Sequence, residues 1–273
     1  MRRSTLPGFG LTMGLTLTWL SVIILIPLAG LFLKTFELSF DQFWGIVTSR
    51  RTLNALKISF GLSFAAALVN LVMGTVIVWA LVRYRFAGRR LFDAIVDIPF
   101  ALPTAVAGIA LSSLFAQKGW LGAPLAELGI KVAFTPTGIF VAMIFIGIPF
   151  VVRTVQPVLI DLDPEIEEAA ASLGANRRNI IARVILPSLT PALLTGFALA
   201  FARAVGEYGS VIFIAGNLPN VSEIAPLLIV IRLSEFRYAD ATAIAVVMLL
   251  ASFLIIFAVN RLQRWAQTRV PAL

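Results

Sequence analysis

Two residues of opposite charge, Arg203 and Glu207, lie four positions apart in a largely apolar part of the chain. Residues at this spacing share one face of an α-helix, where opposite charges can pair. Inside a membrane a charged side chain costs roughly 2.5–3.5 kcal/mol on insertion scales, so it is normally paired or faces water. The spacing therefore predicts an Arg203–Glu207 ion pair.

The side chains that most enzymes require are missing. The sequence contains no histidine and no cysteine, and no acidic pair has the spacing of metal ligands. It also lacks the G-x-x-x-x-G-K-[ST] loop that cradles the phosphates of ATP. We therefore expect no catalytic residue, no metal and no cofactor, and any energy from ATP must arrive through another polypeptide.

The most polar motif, DPEIEEAAASLGANRR, occupies residues 163–178 between two apolar runs. Asp163 suits a helix N-cap and Pro164 the first helical position, while Gly174 suits a left-handed C-cap. Asn176 can cap a second short helix, which we expect to end at Pro187. The sequence predicts two short helices that form a hairpin.

The first of these helices should have two different faces. One would be apolar and would carry Ile166, Ala170 and Leu173. The other would carry carboxylates and small side chains, from Glu165, Glu168, Ala169 and Ser172. At i, i+4, i+7 spacing such a helix can seat in a groove of a soluble partner. The alternative is a solvated loop with a merely amphipathic helix.

The elements that hold these residues must cross a membrane. The chain of 273 residues is 59% hydrophobic and 13% charged, whereas soluble domains have about 25% charged residues. A span needs about 20 apolar residues to cross a hydrocarbon core of about 30 Å. Runs without Asp, Glu, Lys or Arg predict six spans, at Ser4–Leu33, Ile58–Val82, Ile98–Gln117, Val132–Val152, Val184–Ala202 and Ala241–Asn260.

The basic residues predict the orientation of these spans. With six spans both termini lie on one side, which also holds the arginine-rich loops 83–90 and 153–183. An excess of basic residues marks the cytoplasmic face. We therefore expect an inner-membrane protein with both termini in the cytoplasm, and we interpret RYRFAGRR (83–90) as a topology anchor, not a nucleic-acid patch. Asp93 and Asp97, at the cytoplasmic entry of the third span, are expected to be solvated at the interface.

The fifth span is the irregular one. It continues into ARAVGEYGSVIFIAGNLP (202–219), which contains several glycines. We expect the helix to break at Gly206 or Gly209, followed by a short apolar piece and a turn. Irregular backbone at membrane depth occurs only where it packs in protein or lines a watery cavity, so this region indicates a pathway.

The hairpin carries a recognisable signature. Glu168-Ala169-Ala170, three residues, Gly174, nine residues, Val184, one residue and Leu186-Pro187 together resemble the motif of inner-membrane permeases of ABC importers, although the usual pattern has Ile at the position of Val184. The segments 97–111 and 201–217 look like the oxyanion branch, most closely the T-type sulfate/thiosulfate permease family. Molybdate permeases share a related Gly-Glu-aromatic-Gly element, so a molybdate, tungstate or other oxyanion permease is the alternative.

The resemblance implies an all-α integral membrane protein of the type I importer permease fold. It would form one domain over 1–273, with a cytoplasmic coupling segment at 153–187 between spans four and five. The coupling residues would be Glu168, Ala169, Ala170, Gly174, Leu186 and Pro187. The implied partners are two copies of an ATP-hydrolysing subunit, a second, homologous permease, an extracytoplasmic sulfate-binding protein and the lipid bilayer, with no nucleic acid.

In such a permease, helices three and five would line the anion pathway. Arg203 either pairs with Glu207 or contacts the anion. Sulfate can also be held by backbone N–H groups and hydroxyls, for which Thr104 and Ser112 are candidates, although small polar residues also serve close helix packing.

Three rival functions remain. An ion-coupled carrier usually has paired broken helices and ionisable groups at the midplane, whereas this chain offers one arginine within a span. A membrane-embedded enzyme would need the side chains that are missing. A purely structural membrane protein gives no reason for the hairpin.

Overall fold

The computed structural model describes the backbone of residues 8–269 and the side chains of residues 8–262. The start of the expected first span at Ser4 and both chain termini therefore lie outside the described residues. Within the described part every regular element is helical. In chain order the helices are α1 (Phe9–Thr35), α2 (Phe40–Val47), α3 (Arg50–Arg83), α4 (Arg89–Val96), α5 (Ile98–Ala101), α6 (Thr104–Phe115), α7 (Gly122–Glu127), α8 (Pro136–Ile160), α9 (Pro164–Ser172), α10 (Arg177–Val205), α11 (Val211–Ile214), α12 (Ala225–Ser234) and α13 (Tyr238–Arg269).

Five of the described helices are long and apolar enough to cross a membrane, namely α1, α3, α8, α10 and α13. The predicted third span, Ile98–Gln117, is not one long helix. Helix α5 ends at Ala101, Leu102 is extended with ψ 132°, and α6 begins after Pro103. Proline donates no N–H and forces the preceding residue out of the helical region, so the span is interrupted at this point and the count of six is not confirmed.

The centre of the fold is the contact between α3, α8 and α10. Helix α3 turns a stripe of mostly small buried side chains toward the other two helices, among them Ser63, Ala66, Ala67, Asn70 and Gly74. Small residues let helix backbones approach closely in a membrane, where lipid tails offer no hydrophobic driving force between helices. Helix α1 has no buried residue and packs against α13 at the edge.

Two of the long helices contain a wider π turn immediately before a proline. The turn covers Ser21–Leu25 ahead of Pro27 in α1, and Ile181–Ile185 ahead of Pro187 in α10. In α10 the N–H of Leu186 donates to the carbonyl of Ile181, five residues back. Proline removes a donor and clashes with the carbonyl four residues back, and the wider turn lets the helix continue. The prediction that the second hairpin helix ends at Pro187 is therefore wrong.

The close approach of α3 to α8 is testable with two glycines of one helix. A Cβ at Gly74 would lie 2.8 Å from Cγ1 of Val151, whereas a Cβ at Gly61 meets nothing within 4 Å. Gly74→Ala should lower the melting temperature of the purified chain in detergent, because overpacking typically costs about 1–3 kcal/mol. Gly61→Ala, the control, should leave it unchanged or raise it slightly. Equal melting temperatures for the two variants would contradict the packing described.

Candidate functional site

The hairpin between α8 and α10 has the predicted caps. The carboxylate of Asp163 accepts a hydrogen bond from the Glu165 N–H at 2.9 Å. Gly174 has φ +85°, the left-handed conformation that glycine adopts without strain. The side chain of Asn176 accepts from the Asn179 N–H at 2.9 Å and starts α10. The local sequence thus fixes both helices of the hairpin and the turn between them.

The hairpin presents one face to solvent. That face consists of the side chains predicted to share it, Glu165, Glu168, Ala169 and Ser172, all of which are exposed. Ile166 and Ala170 on the opposite face are partly buried. Leu173, the third residue of the predicted apolar face, is 88% exposed. Helix α9 ends at Ser172, and Leu173 already belongs to the turn.

The inner face of the hairpin is tied to the end of α3. The guanidinium of Arg83 pairs with the carboxylate of Glu167, and it lies 5.6 Å from the ring centroid of Trp79 in a cation–π contact. A cavity of ≈ 480 Å³ lies beside this pair, between α9, α10 and α3. The two ion-pair partners are far apart in sequence, and no local pattern could have indicated the contact.

The predicted pair at the other end of α10 is present. The Nη1 atom of Arg203 lies 2.6 Å from Oε2 of Glu207. Oε1 of Glu207 accepts from the N–H and the hydroxyl of Ser210, at 2.8 and 2.9 Å. Glu207 is 1% exposed, whereas a third of the Arg203 side chain is open. The break is also confirmed, because α10 ends at Val205 and Gly206 follows as its cap.

Helix α6 packs against the backbone beyond this break. A Cβ at Gly209 would lie 2.1 Å from Oγ1 of Thr104, and one at Gly108 would lie 2.3 Å from the Ser210 carbonyl oxygen. Thr104 is therefore brought to the Arg203–Glu207 neighbourhood. Ser112 lies about two turns further along α6, and its hydroxyl donates to the Ile109 carbonyl at 2.9 Å.

One guanidinium organises the start of the interrupted span. Arg153 donates to both carboxylate oxygens of Asp97, at 2.8 and 2.7 Å, and to Oδ1 of Asp93 at 2.7 Å. It also donates to the Asp93 carbonyl and to the side chain of Gln156. The expectation that the two aspartates are simply solvated is wrong, because α8 places a fixed cation between them.

This contact also acts on the acidity of Asp93. Partial burial on its own would raise the pKa of Asp93, but the hydrogen bonds from Arg153 and Gln156 outweigh that effect and hold the pKa below its ordinary value. A carboxylate with a lowered pKa stabilises the fold above its ordinary pKa and loses that contribution as the pH falls.

Another long-range ion pair, Arg51–Glu223, fixes the segment after α11. Arg51 donates to both carboxylate oxygens of Glu223, at 2.8 and 2.7 Å, and Glu223 is 1% exposed. The hydroxyl of Ser59 accepts from the Ala225 N–H at 2.8 Å. No local pattern predicts the Arg51–Glu223 pair, because several helices separate the two residues in the sequence.

The hairpin and the Arg203–Glu207 pair lie at the two ends of α10. About 26 residues of α10 separate the hairpin from Arg203, a length of roughly 40 Å. The described residues hold no group of His, Cys, Asp or Glu that could bind a metal ion. Helix α10 thus connects the exposed face of the hairpin to the buried carboxylate of Glu207.

Comparisons with known proteins place the chain among membrane transport components. The family model described as "Binding-protein-dependent transport system inner membrane component" matches residues 73–271. The sulfate transport system permease protein CysT of Salmonella typhimurium is 50% identical over 96% of this chain and 94% of its own length. The protein of the same name from Synechococcus elongatus is 48% identical over 92% of this chain and 90% of its own length.

A solved structure has a similar fold. A chain from the crystal structure of a bacterial ABC transporter involved in the import of the acidic polysaccharide alginate superposes with a TM-score of 0.79. The match covers 94% of this chain and 96% of that chain, at 18% sequence identity. At this identity the likeness establishes the fold alone.

The Arg153 cluster predicts a stability change that depends on pH. Arg153→Gln should lower the free energy of unfolding by about 1–2 kcal/mol near neutral pH, because two partly exposed carboxylates lose their charged donor. The difference should shrink as the pH falls below about 3.9, the ordinary aspartate pKa, because Asp93 becomes protonated. Denaturation of the purified chain at several pH values measures this.

Arg178→Gln removes a cation from an exposed position and serves as the control, with no expected change. A loss for Arg153→Gln that stayed constant down to the most acid pH would show that the aspartates are not the partners that matter.

Proposed function

The chain belongs to the family of binding-protein-dependent transport system inner membrane components, and we propose that it is the permease subunit of an ATP-driven sulfate/thiosulfate importer. The relatives named as sulfate transport permeases support the substrate, because they match nearly the whole chain at about half identity. The observation that carries the mechanism is the hairpin, whose outward face is exposed and carries carboxylates and small side chains.

The permease forms one domain over 1–273 and crosses the inner membrane six times. The interrupted segment formed by α5 and α6 provides the crossing that no single long helix supplies. Both termini and the coupling segment 153–187 lie in the cytoplasm. The arginine-rich loops on that side support this orientation.

The hairpin docks on an ATP-hydrolysing subunit, which is a separate polypeptide present in two copies. Glu168, Ala169 and the turn at Gly174 are exposed and available for contact. Ala170 supports α9 from its partly buried side. Leu186 and Pro187 follow the π turn and connect the hairpin to the membrane part of α10.

Movement of the hairpin reaches the membrane by two routes. Helix α10 is continuous from Arg177 to Val205, so a displacement at its start is carried to Arg203. The Arg83–Glu167 pair attaches the hairpin to α3 as well. Both helices pack against α8 in the core, and the core therefore moves with the hairpin.

The anion crosses between this chain and a second, homologous permease after an extracytoplasmic sulfate-binding protein delivers it. Thr104, Ser112, Arg203 and Glu207 lie on the pathway. The polar break after α10 and its packing against α6 support this route, because irregular backbone inside a membrane lines a cavity or packs in protein. The partly open guanidinium of Arg203 can attract the anion, while Glu207 fixes its position.

Charge reversal on the hairpin should uncouple the transporter. In Glu168→Lys the chain should still insert and fold, but the ATP-hydrolysing subunit should no longer co-purify, or its hydrolysis should no longer drive uptake. Gly174→Leu should behave similarly, because a left-handed φ strains any side chain other than glycine. Co-purification and sulfate uptake into vesicles measure the two effects.

Asp41→Lys is the matched control, an exposed carboxylate in α2 on the opposite side of the proposed membrane. It should leave co-purification and uptake unchanged. Normal values for Glu168→Lys would show that the hairpin is not the docking face.

A single and a double variant distinguish a role of the Arg203–Glu207 pair in folding from a role in transport. Arg203→Ala leaves a buried carboxylate unpaired, and breaking a buried pair typically costs about 3–5 kcal/mol. Arg203→Ala combined with Glu207→Ala should recover assembly, as judged by the melting temperature of the purified chain. Sulfate uptake should stay low in the double variant if Arg203 also attracts the anion.

Recovery of both stability and uptake would restrict the pair to a structural role. A double variant no more stable than Arg203→Ala alone would contradict the pairing itself.

A further inference from the structure

Helix α4 (Arg89–Val96) has a large apolar face that nothing in the described structure covers. Its apolar arc carries Leu91, Phe92 and Ile95, which are 64%, 55% and 45% exposed. Only Val96 at its end is buried. Burying one such side chain is typically worth about 1.5–3 kcal/mol, so an apolar medium or partner covers this face in the working protein.

The same segment carries cations that have no acidic partner. Arg85, Arg89 and Arg90 form no salt bridge within the part of the chain that the structure describes. Asp93 and Asp97, the carboxylates nearest in sequence, both pair with Arg153, and Arg89 acts on Asp93 through its charge without forming a salt bridge. Four arginines against two aspartates still leave two positive charges in excess beside the apolar face.

The position of α4 indicates what covers it. The helix begins just after the membrane-spanning α3 ends at Arg83, and the chain turns back into apolar sequence at Ile98. Phe86 extends the apolar surface, with its ring 5.8 Å from that of Phe92. Exposed apolar side chains also occur on α3, at Val76, Met73 and Val72. The apolar face of α4 thus follows directly on a helix that is long and apolar enough to cross a membrane.

We propose that α4 and the preceding turn 84–88 form a surface helix that binds anionic phospholipids. Its apolar side chains enter the boundary between headgroups and acyl chains, and the guanidinium groups of Arg85, Arg89 and Arg90 contact the phosphates. Only the assignment of this leaflet to the cytoplasmic side rests on the proposed function. Because Arg153 ties Asp93 and Asp97 to α8, bound lipid also holds the end of α8 at the membrane surface.

The test measures lipid binding by the full-length chain, purified in detergent, with phosphatidylglycerol as the probe. Native mass spectrometry during a titration gives the affinity, and phosphatidylcholine is the comparison lipid. The triple variant Arg85→Gln/Arg89→Gln/Arg90→Gln should lose affinity for phosphatidylglycerol by about fivefold for each arginine removed, which corresponds to about 1 kcal/mol per basic residue. Its affinity for phosphatidylcholine should not change.

Two further variants make the result specific. Lys57→Gln/Lys118→Gln/Lys131→Gln removes the same charge from exposed positions elsewhere and should bind phosphatidylglycerol like the parent chain. Exchange of the three arginines for lysine keeps the charge and should preserve most of the affinity, as expected for a headgroup surface. Melting temperatures confirm that all variants are folded.

The proposal would be overturned if the triple arginine-to-glutamine and triple lysine-to-glutamine variants lost affinity for phosphatidylglycerol equally. Equal binding of the two lipids by the parent chain would also overturn it. If Arg85→Lys/Arg89→Lys/Arg90→Lys bound phosphatidylglycerol as weakly as the arginine-to-glutamine variant, the arginines would instead serve a protein partner that needs bidentate contacts. Sulfate uptake is measured separately, so failure here leaves the proposed transport function standing, and the converse also holds.

Discussion

The continuity of α10 is the constraint on which the rest of the structure depends. The helix contains two prolines, Pro187 and Pro191, and each removes a backbone N–H donor from the helix. The π turn at Ile181–Ile185 absorbs Pro187, and the hairpin therefore remains joined to the membrane part of the helix. The hairpin adjoins one end of α10 and the Arg203–Glu207 pair lies at the other end, and α3 and α8 hold the helix in the core.

Several ion pairs of this apolar chain connect one helix to another helix or to the turn that follows it. Arg83 joins the hairpin to α3, and Arg153 joins α8 to the start of the interrupted span. Arg203 and Arg51 fix the turns that follow α10 and α11. Apolar packing between helices is weakly directional, whereas a guanidinium with two or more acceptors sets position and orientation. The ion pairs therefore specify which helix ends meet, and the small residues of α3 set how closely the helices approach.

Some of the helix caps and ion pairs could be predicted from the local sequence. Asp163, Gly174 and Asn176 act within one turn of backbone, and Arg203 and Glu207 are neighbours on one helix, so their sequence positions were sufficient. The partners of Arg153, Arg83 and Arg51 come from distant segments, and only the packed fold brings them together. A run without charges measures length and polarity, so the run at 98–117 does not by itself show the division into α5 and α6 at Pro103. The error at Pro187 arose because a π turn leaves no obvious mark in the sequence.

Proximity of the hairpin to the ATP-hydrolysing subunit is the most direct measurement of the central claim. The chain has no cysteine, so one introduced thiol reports on a single place. In the assembled transporter, a thiol-reactive crosslinker should join Ser172→Cys on the exposed face of α9 to the ATP-hydrolysing subunit. The same reagent should give no such product from Asp41→Cys. A crosslink from position 41, or none from position 172 in an intact and active complex, would contradict the account.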